Sequence, residues 1–427
     1  MRVHKTFDIN IKDISKTEGH ANLEIKVRNG KVENVKLKIS ENKRFFTQGV
    51  RNKPFISVPQ LVSRICGTCS IAHMTCNIEA IEKALGIKPS EQTMTLRKLA
   101  MYGTMIRDHA MHLYFFSLPD LLGKDSVLDF DESQNHLLEQ AFAVKAVGNN
   151  LSKVVAGRAV HAPYEQIGYF SNIPKKEEIK KLIAELKSNR ENILDLIKIF
   201  YDCDFKLERE RRFVALVTDD FSFLEGVVKT SDGETIPEGD YWDYVDRVVI
   251  PYSQATGFEF EGKEYVVGAL ARMDLNRYAL NKNTNRDVGK FLKVFPSKNI
   301  FHNNLAQAIE ILNSIDNSIE ILESTHFNVE KIPKIKIKEG KGVGVVEAPR
   351  GTLYHMVDLD KNGKLRYANF VIPTAQNQIE MQNDIKILVQ KIIDKDKHYI
   401  QHEVEKLIRA YDPCMTCATH FLRIKWI

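Results

Sequence analysis

The sequence has no run of about 18 apolar residues, the length that could cross a bilayer. Its amino terminus, MRVHKTFDINIK, lacks the apolar core of a secretory signal. A cytoplasmic protein with no membrane association is therefore expected. Charge of one sign is also missing. Its 61 basic and 56 acidic residues leave a net +5, dispersed along the chain, which reads as solvated surface and argues against a nucleic-acid partner. There is no internal repeat, no low-complexity tract and no linker rich in Gly, Pro or Ser, so one mixed domain is expected. No GxGxxG occurs. The one glycine-rich stretch, GKGVGVVEAPRG at 340–351, leads into a proline and an arginine instead of a helix, so it is no dinucleotide fingerprint.

Cysteine is scarce, with six in 427 residues. A chain of this length with 43% hydrophobic and 27% charged residues can bury a substantial core without disulfides. Four of the six nevertheless form two CxxC pairs, each followed by a histidine: RICGTCSIAH at 64–73 and YDPCMTCATH at 411–420. Cys76 and Cys203 stand alone and read as inert core thiols.

Periodicity predicts an α+β chain, mostly helical, with small β-ribbons. Leu23, Ile25 and Val27 alternate with polar residues, Asn29-Gly30 supplies a two-residue turn, and Val35, Leu37 and Ile39 alternate again. A second ribbon is expected around Asn362-Gly363. Helical spacing marks Ile179 to Leu186, with Pro174 as its starter, and Ile193 to Phe200. It also marks a long helix from Leu305 to Leu322, then Ile385 to Ile392 and Val404 to Ile408. The last of these runs straight into Asp412-Pro413-Cys414. Short strands and turns between 212 and 300 suggest an insertion on the helical body.

A CxxC turn points both sulfurs the same way, so each pair can serve one metal ion and the two together supply four thiolates. A structural zinc site with four cysteines is the plain alternative. Zinc ribbons, however, keep their pairs within roughly 15 to 20 residues of each other, whereas here nearly the whole chain intervenes. Joining the two ends of a large fold suits a buried catalytic centre better than a local staple.

With their flanks, the two cysteine motifs resemble those of the large subunit of nickel–iron hydrogenases. TEGH at 17–20, RDHAMH at 107–112, GRAVH at 157–161, NNLAQAIEIL at 303–312, EAPRG at 347–351 and VIPTAQN at 371–377 fall in that family's order. RFF at 44–46, AMHL at 110–113 and NNLAQAIEIL are most similar to the cytosolic sulfhydrogenase type, which couples dihydrogen to NAD(P). Deazaflavin-linked and heterodisulfide-reductase-linked hydrogenases are alternatives within the resemblance. A zinc-clipped structural protein, or a metal-free relative of the quinone-site subunit of respiratory complex I, are alternatives outside it. Retention of all four cysteines argues against the quinone-site relative.

The resemblance implies the hydrogenase large-subunit fold with a helical-bundle centre over 1–420. It implies that Cys66 and Cys414 are terminal nickel ligands, and that Cys69 and Cys417 bridge nickel to an iron carrying cyanide and carbon monoxide. Cys414 is the expected base in heterolytic cleavage of dihydrogen, because a singly coordinated thiolate keeps a high proton affinity. Glu18 would be the proton gate. Arg350 would hang over the open metal position, aimed by Pro349 and held by Asp108 and Asp412; Asp412 also suits helix termination. Thr374 would donate to an iron-bound cyanide, and His73 to the Cys69 sulfur. His109 and His112 are expected as packing or proton-path neighbours. His420, with a backbone carbonyl near Phe370, would hold a magnesium or iron ion. Two departures stand out. Lys16 replaces the usual arginine before the gate, losing the planar fork, and Thr47 stands where a glutamate normally ligates magnesium, a poor replacement on a hard dication. The tail FLRIKWI, 421–427, would be a propeptide cut off after His420 by a maturation endopeptidase.

Once four cysteines are committed, Cys76 and Cys203 are too few for an iron–sulfur cluster, and no flavin or nicotinamide fingerprint is present. The resemblance therefore implies a partner small subunit carrying iron–sulfur clusters, docked on a large apolar surface near the cysteine pairs, and diaphorase subunits beyond it.

Overall fold

The computed structural model describes residues 5–419. The chain opens with a three-stranded antiparallel sheet, β1 (Phe7–Ile11), β2 (Ala21–Arg28) and β3 (Lys31–Ile39), in sequential order. The sequence predicts β2 and β3 with their turn, where Asn29 and Gly30 both take positive φ as a tight hairpin requires. It does not predict β1, which pairs with β2 from Phe7 opposite Val27 to Ile11 opposite Leu23.

Helix α1 (Ser70–Leu85) begins directly at Cys69 and stops at Gly86, whose φ of 71° makes the left-handed cap. Helix α2 (Glu91–Ala110) is started by the Ser90 side chain, which accepts from the Thr93 amide at 3.0 Å. It continues into a wider π-helical stretch, Met111–Ser117. Helix α3 (Asn135–Ala156) packs against α2, and two glycines allow the approach. A Cβ on Gly103 would come within 2.5 Å of Ser152 Oγ, and one on Gly148 within 2.6 Å of the Arg107 amide nitrogen. Helices α4 (Lys176–Ser188) and α5 (Arg190–Tyr201) follow. Pro174 lies ahead of the cap at Lys175 and outside the first turn, a correction to its expected role as the starter.

Segment 212–300 is only partly the expected insertion. Its short antiparallel strands, β4 (Val214–Val217) to β8 (Gly257–Phe260), form two small sheets. It also contributes helix α6 (Ala269–Asn276), six of whose eight residues are buried, against α7 (His302–Ser324). Local alternation and turn residues could not reveal that burial, because it depends on which distant helix lies opposite.

The second ribbon gains a strand too: β9 (Gly340–Ala348), β10 (Gly351–Leu359) and β11 (Leu365–Val371) form an antiparallel sheet. Here the rejected glycine motif finds its physical use. Gly340, Gly342 and Gly344 share one face of β9 by the two-residue period, and α1 lies directly on them. A Cβ on Gly342 or Gly344 would sit 2.0 Å from the carbonyl oxygens of Ala80 or Cys76. The chain finishes with α8 (Pro373–Lys391), which has proline in its first turn, and α9 (Lys397–Ala410). Among the described residues, the buried apolar side chains other than Val127 form one continuous cluster running through all these layers.

Candidate metal centre

Both cysteine pairs sit in turns next to helices, one just before α1 and the other just after α9. Cys66 is extended, Gly67 is exposed, and Cys69 caps the amino end of α1. The other pair arrives after α9. Asp412 takes a φ of 48°, an unusual conformation for a residue with a Cβ, while its amide donates to Arg409 O at 2.8 Å. It thus ends the helix as well as facing the site. Glu18 and Cys414 are paired through the backbone, with the Met415 amide donating to Glu18 O at 2.7 Å. Gly19 makes this crossing feasible, since a Cβ there would lie 2.6 Å from Thr416 Oγ1.

The four sulfurs converge. Cys66 and Cys414 Sγ are 3.6 Å apart, Cys69 and Cys417 3.3 Å, and Cys414 and Cys417 2.7 Å. All four are buried, all are free thiols, and their sulfurs lie within 4.8 Å of one another. Hydrogen bonds from Cys414, Cys417 and Cys69 hold the Cys66 thiol well below its ordinary range. Burial pushes Cys414 and Cys417 well above it. A metal must therefore displace protons from these thiols on binding. A buried donor set of four soft sulfurs fits nickel and iron. Zinc accepts the same donors, but an arginine poised between two carboxylates beside the sulfurs is more than a structural clip needs.

That arginine is Arg350. It sits with Pro349 in the two-residue turn between β9 and β10, where Ala348 pairs with Gly351. Its Nη1 donates to Asp108 Oδ2 at 2.7 Å, its Nη2 to Asp412 Oδ1 at 3.1 Å, and its Nε to Asp412 O at 3.2 Å. Burial opposes its charge, but the two carboxylates overcome this and keep it protonated. Burial raises Asp108 above the usual carboxylate range, and its Oδ1 is buried with no hydrogen-bond partner among the described residues. Glu18 is also raised, first by burial and then by the negative charge of Cys66. Its Oε1 accepts from Thr416 Oγ1 at 3.3 Å.

Other expected residues are placed as follows. Thr374, in the first turn of α8, accepts from the Cys414 amide at 2.8 Å. His73 is buried, and its Nδ1 lies 3.2 Å from His355 Nε2, a neighbour the sequence did not suggest. Burial lowers His73 to about 4, leaving the ring neutral. The Phe370 ring, on β11, lies 4.3 Å from the His355 ring. Thr47 is in a short helix, Phe46–Gly49. Lys16 pairs with Asp120 at 2.7 Å. His109 Nε2 is 2.9 Å from Glu310 Oε2, and His112 Nδ1 is 2.6 Å from Gln307 Oε1. His420 and the tail Phe421–Ile427 lie outside the described residues.

Sequence reasoning missed two supporting side chains. Arg44 donates to Ile65 O at 2.6 Å and also to Thr416 O, so one guanidinium joins the two cysteine loops. Gln307 Nε2 donates to Asp412 Oδ2 at 2.9 Å, fixing the carboxylate oxygen that Arg350 Nη2 does not use. Both lie within motifs already singled out, RFF and NNLAQAIEIL, but nothing in those motifs indicates which backbone or carboxylate they meet.

The pattern of the nickel-dependent hydrogenase family matches residues 47–180 and 244–420. Sulfhydrogenase 1 subunit alpha of Pyrococcus furiosus is 32% identical over 426 residues, covering 97% of this chain and 98% of that protein. The beta subunit of a NAD-reducing hydrogenase from Cupriavidus necator is 27% identical over 465 residues, covering 96% and 94%. A crystal structure of a NAD+-reducing nickel–iron hydrogenase in the H2-reduced state superposes with a TM-score of 0.88 at 22% identity, over 97% of this chain and 100% of that one. With this fold and four thiols gathered from both ends of the sequence, the chain belongs to the nickel-dependent hydrogenase family, as a large subunit of an oxidoreductase acting on hydrogen.

Proposed function

We propose that this chain carries the catalytic centre of a cytoplasmic hydrogenase, with nickel held by Cys66, Cys69, Cys414 and Cys417, and with Cys69 and Cys417 shared by an iron bearing cyanide and carbon monoxide. The convergence of four buried sulfurs within 4.8 Å supports this reading more than any other observation. When bound, the metals supply the Lewis-acidic position at which dihydrogen is polarised.

The residues do the rest. Cys414 Sγ accepts the proton of heterolytic cleavage, and Glu18, paired to Cys414 through the backbone, carries it outward. Burial and the negative charge of Cys66 raise its affinity for protons, which suits it to take up and pass on a proton. Arg350, positioned by Pro349, Asp108 and Asp412, presents fixed positive charge over the reacting site without reorganising. The Thr374 hydroxyl, which accepts from the Cys414 amide, has its proton left to donate toward a cyanide. His73, a neutral ring at the amino end of α1, tunes the Cys69 side of the centre. His420 and the Phe370 carbonyl would hold a magnesium or iron ion, with Thr47 contributing no carboxylate. Residues 1–420 form the mature unit, and 421–427 are removed by an endopeptidase.

Electrons leave through a small subunit bearing iron–sulfur clusters and on to NAD(P) through diaphorase subunits. Relatives named as an alpha subunit of a sulfhydrogenase and a beta subunit of a NAD-reducing hydrogenase support this route.

Elemental and infrared analysis of the complex purified with its partners tests the proposal. About one nickel and at least one iron per chain are expected, with bands from cyanide and carbon monoxide, and Cys414→Ser is expected to lose the nickel together with dihydrogen-dependent dye reduction. Zinc in place of nickel, with no such bands, would replace the proposal with a structural clip.

A further inference from the structure

Arg272 belongs to none of the motifs that mark the family in this sequence and comes from the segment expected to be peripheral. Its side chain is only 2% exposed, and all five of its N–H donors are used. Nε and Nη2 grip Glu310 Oε1 and Oε2, each at 2.6 Å. Nη1 donates to Glu347 Oε2 at 2.8 Å and to Ala348 O at 3.0 Å, and Nη2 also donates to Pro349 O at 3.1 Å. Those two carbonyls belong to the two residues immediately before Arg350. The guanidinium therefore holds the turn from behind, while carboxylates from α7 and β9 fix its own orientation. Glu310 continues to His109, the neighbour of Asp108 on α2. Glu347 continues to Thr352 Oγ1 at 2.6 Å and to the Leu216 amide at 2.7 Å. Gly268, at the start of α6, lets the two elements close, since a Cβ there would lie 3.3 Å from Arg350 O.

We infer that Arg272 is a positioning residue for the hydrogenase reaction: it fixes the Ala348–Pro349 backbone and so aims the Arg350 guanidinium at the metal centre. The kinetic part of this inference rests on the proposed function, whereas the placement of Arg350 rests on geometry alone. A two-residue turn cannot by itself hold a long side chain to within about 0.5 Å, which a preorganised site requires. Only a planar fork with five donors spans two carboxylates and two carbonyls at once, so lysine is no substitute.

Arg272→Lys in the complete enzyme with its partner subunits tests this in two ways. In its crystal structure the Arg350 Nη1 to Asp108 Oδ2 contact is expected to lengthen beyond hydrogen-bond range. Retention of the 2.7 Å contact overturns the inference whatever the activity. In dihydrogen-dependent dye reduction, kcat is expected to fall roughly 10- to 100-fold, with KM within about twofold and nickel content unchanged. On an Arg350→Lys background the same change should cost less than about twofold, because the group it aims is gone. An equal loss on both backgrounds assigns Arg272 to general scaffolding and overturns its positioning role. If Arg272→Lys yields no soluble enzyme, Glu347→Gln, which loosens the same guanidinium, is put through the same cycle with the same expectations. A wild-type complex without nickel or dihydrogen turnover would defeat the functional reading, and the crystallographic result would still decide where Arg350 is held.

Discussion

Glu18 and Asp274 show how burial, more than any single neighbour, sets the behaviour of a carboxyl group. Glu18 is raised by burial and by the charge of Cys66, so replacing it with a group that cannot ionise should stop proton exit without disturbing the metal. Glu18→Gln is expected to lower dihydrogen-dependent dye reduction by 10²-fold or more, the usual weight of a general acid–base, on the order of 10² to 10⁴. Nickel content should be unchanged, and near-normal turnover would remove Glu18 from the proton route. Asp274, on α6, is raised by burial to about 7, while amide donation from Ser297 pulls the other way. Since its folded value lies above its unfolded one, its stabilising contribution is complete below about pH 4 and fades as the pH rises through about 7. Asp274→Asn should then gain on the order of 1–2 kcal/mol over the wild type at pH 8 but not at pH 4, after allowance for solvent around this partly buried group. Urea midpoints at the two pH values measure this, and a pH-independent difference would exclude titration of Asp274.

Among the secondary-structure elements, the long helices were legible because 3.6-residue spacing is a property of the chain alone. The reading from Leu305 to Leu322 became His302–Ser324, and that from Val404 to Ile408 became Lys397–Ala410. The third strand of each sheet was less legible. Phe7, Ile9 and Ile11 do alternate, but a single short alternation without a turn on both sides does not reveal its partner. β9 was hidden for a different reason: its glycines mimic a phosphate-binding loop, and only the helix lying across them gives their purpose. Gly344→Ala would drive a methyl group to 2.0 Å from the Cys76 carbonyl oxygen. The overpacking should cost about 1–3 kcal/mol or more, read as a fall of several degrees in the melting temperature. Gly239→Ala, where a Cβ meets nothing within 4 Å, is the control expected to stay within about 0.5 kcal/mol. Equal melting temperatures for the two variants would mean that α1 does not rest on β9 as closely as described.

In the whole molecule, the centre exists only if positions 348 apart in sequence stay in contact, and Arg44 ties the backbones of the two loops directly. Arg44→Ala should leave the helical body intact while amide exchange through 412–419 accelerates by about tenfold or more and nickel occupancy falls. Unchanged exchange in that segment would show that metal and packing suffice without the clasp. Donor chemistry was readable in the linear chain where two CxxC pairs with histidines offer four thiols, because ligand type and spacing within a loop are local properties, whereas the EAPRG and TEGH segments were singled out only through the family resemblance. Which of them meet was not readable from local spacing, and only the family resemblance implied that Asp108 and Asp412 hold Arg350. The Arg350–Asp108–Asp412 triad, the Gln307 bond to Asp412, the five-fold grip of Arg272 and the pairing of Glu18 with Cys414 all join residues from separate elements. Their energies come from desolvated charges and close backbone approach, and those arise only once the chain has folded and water is gone.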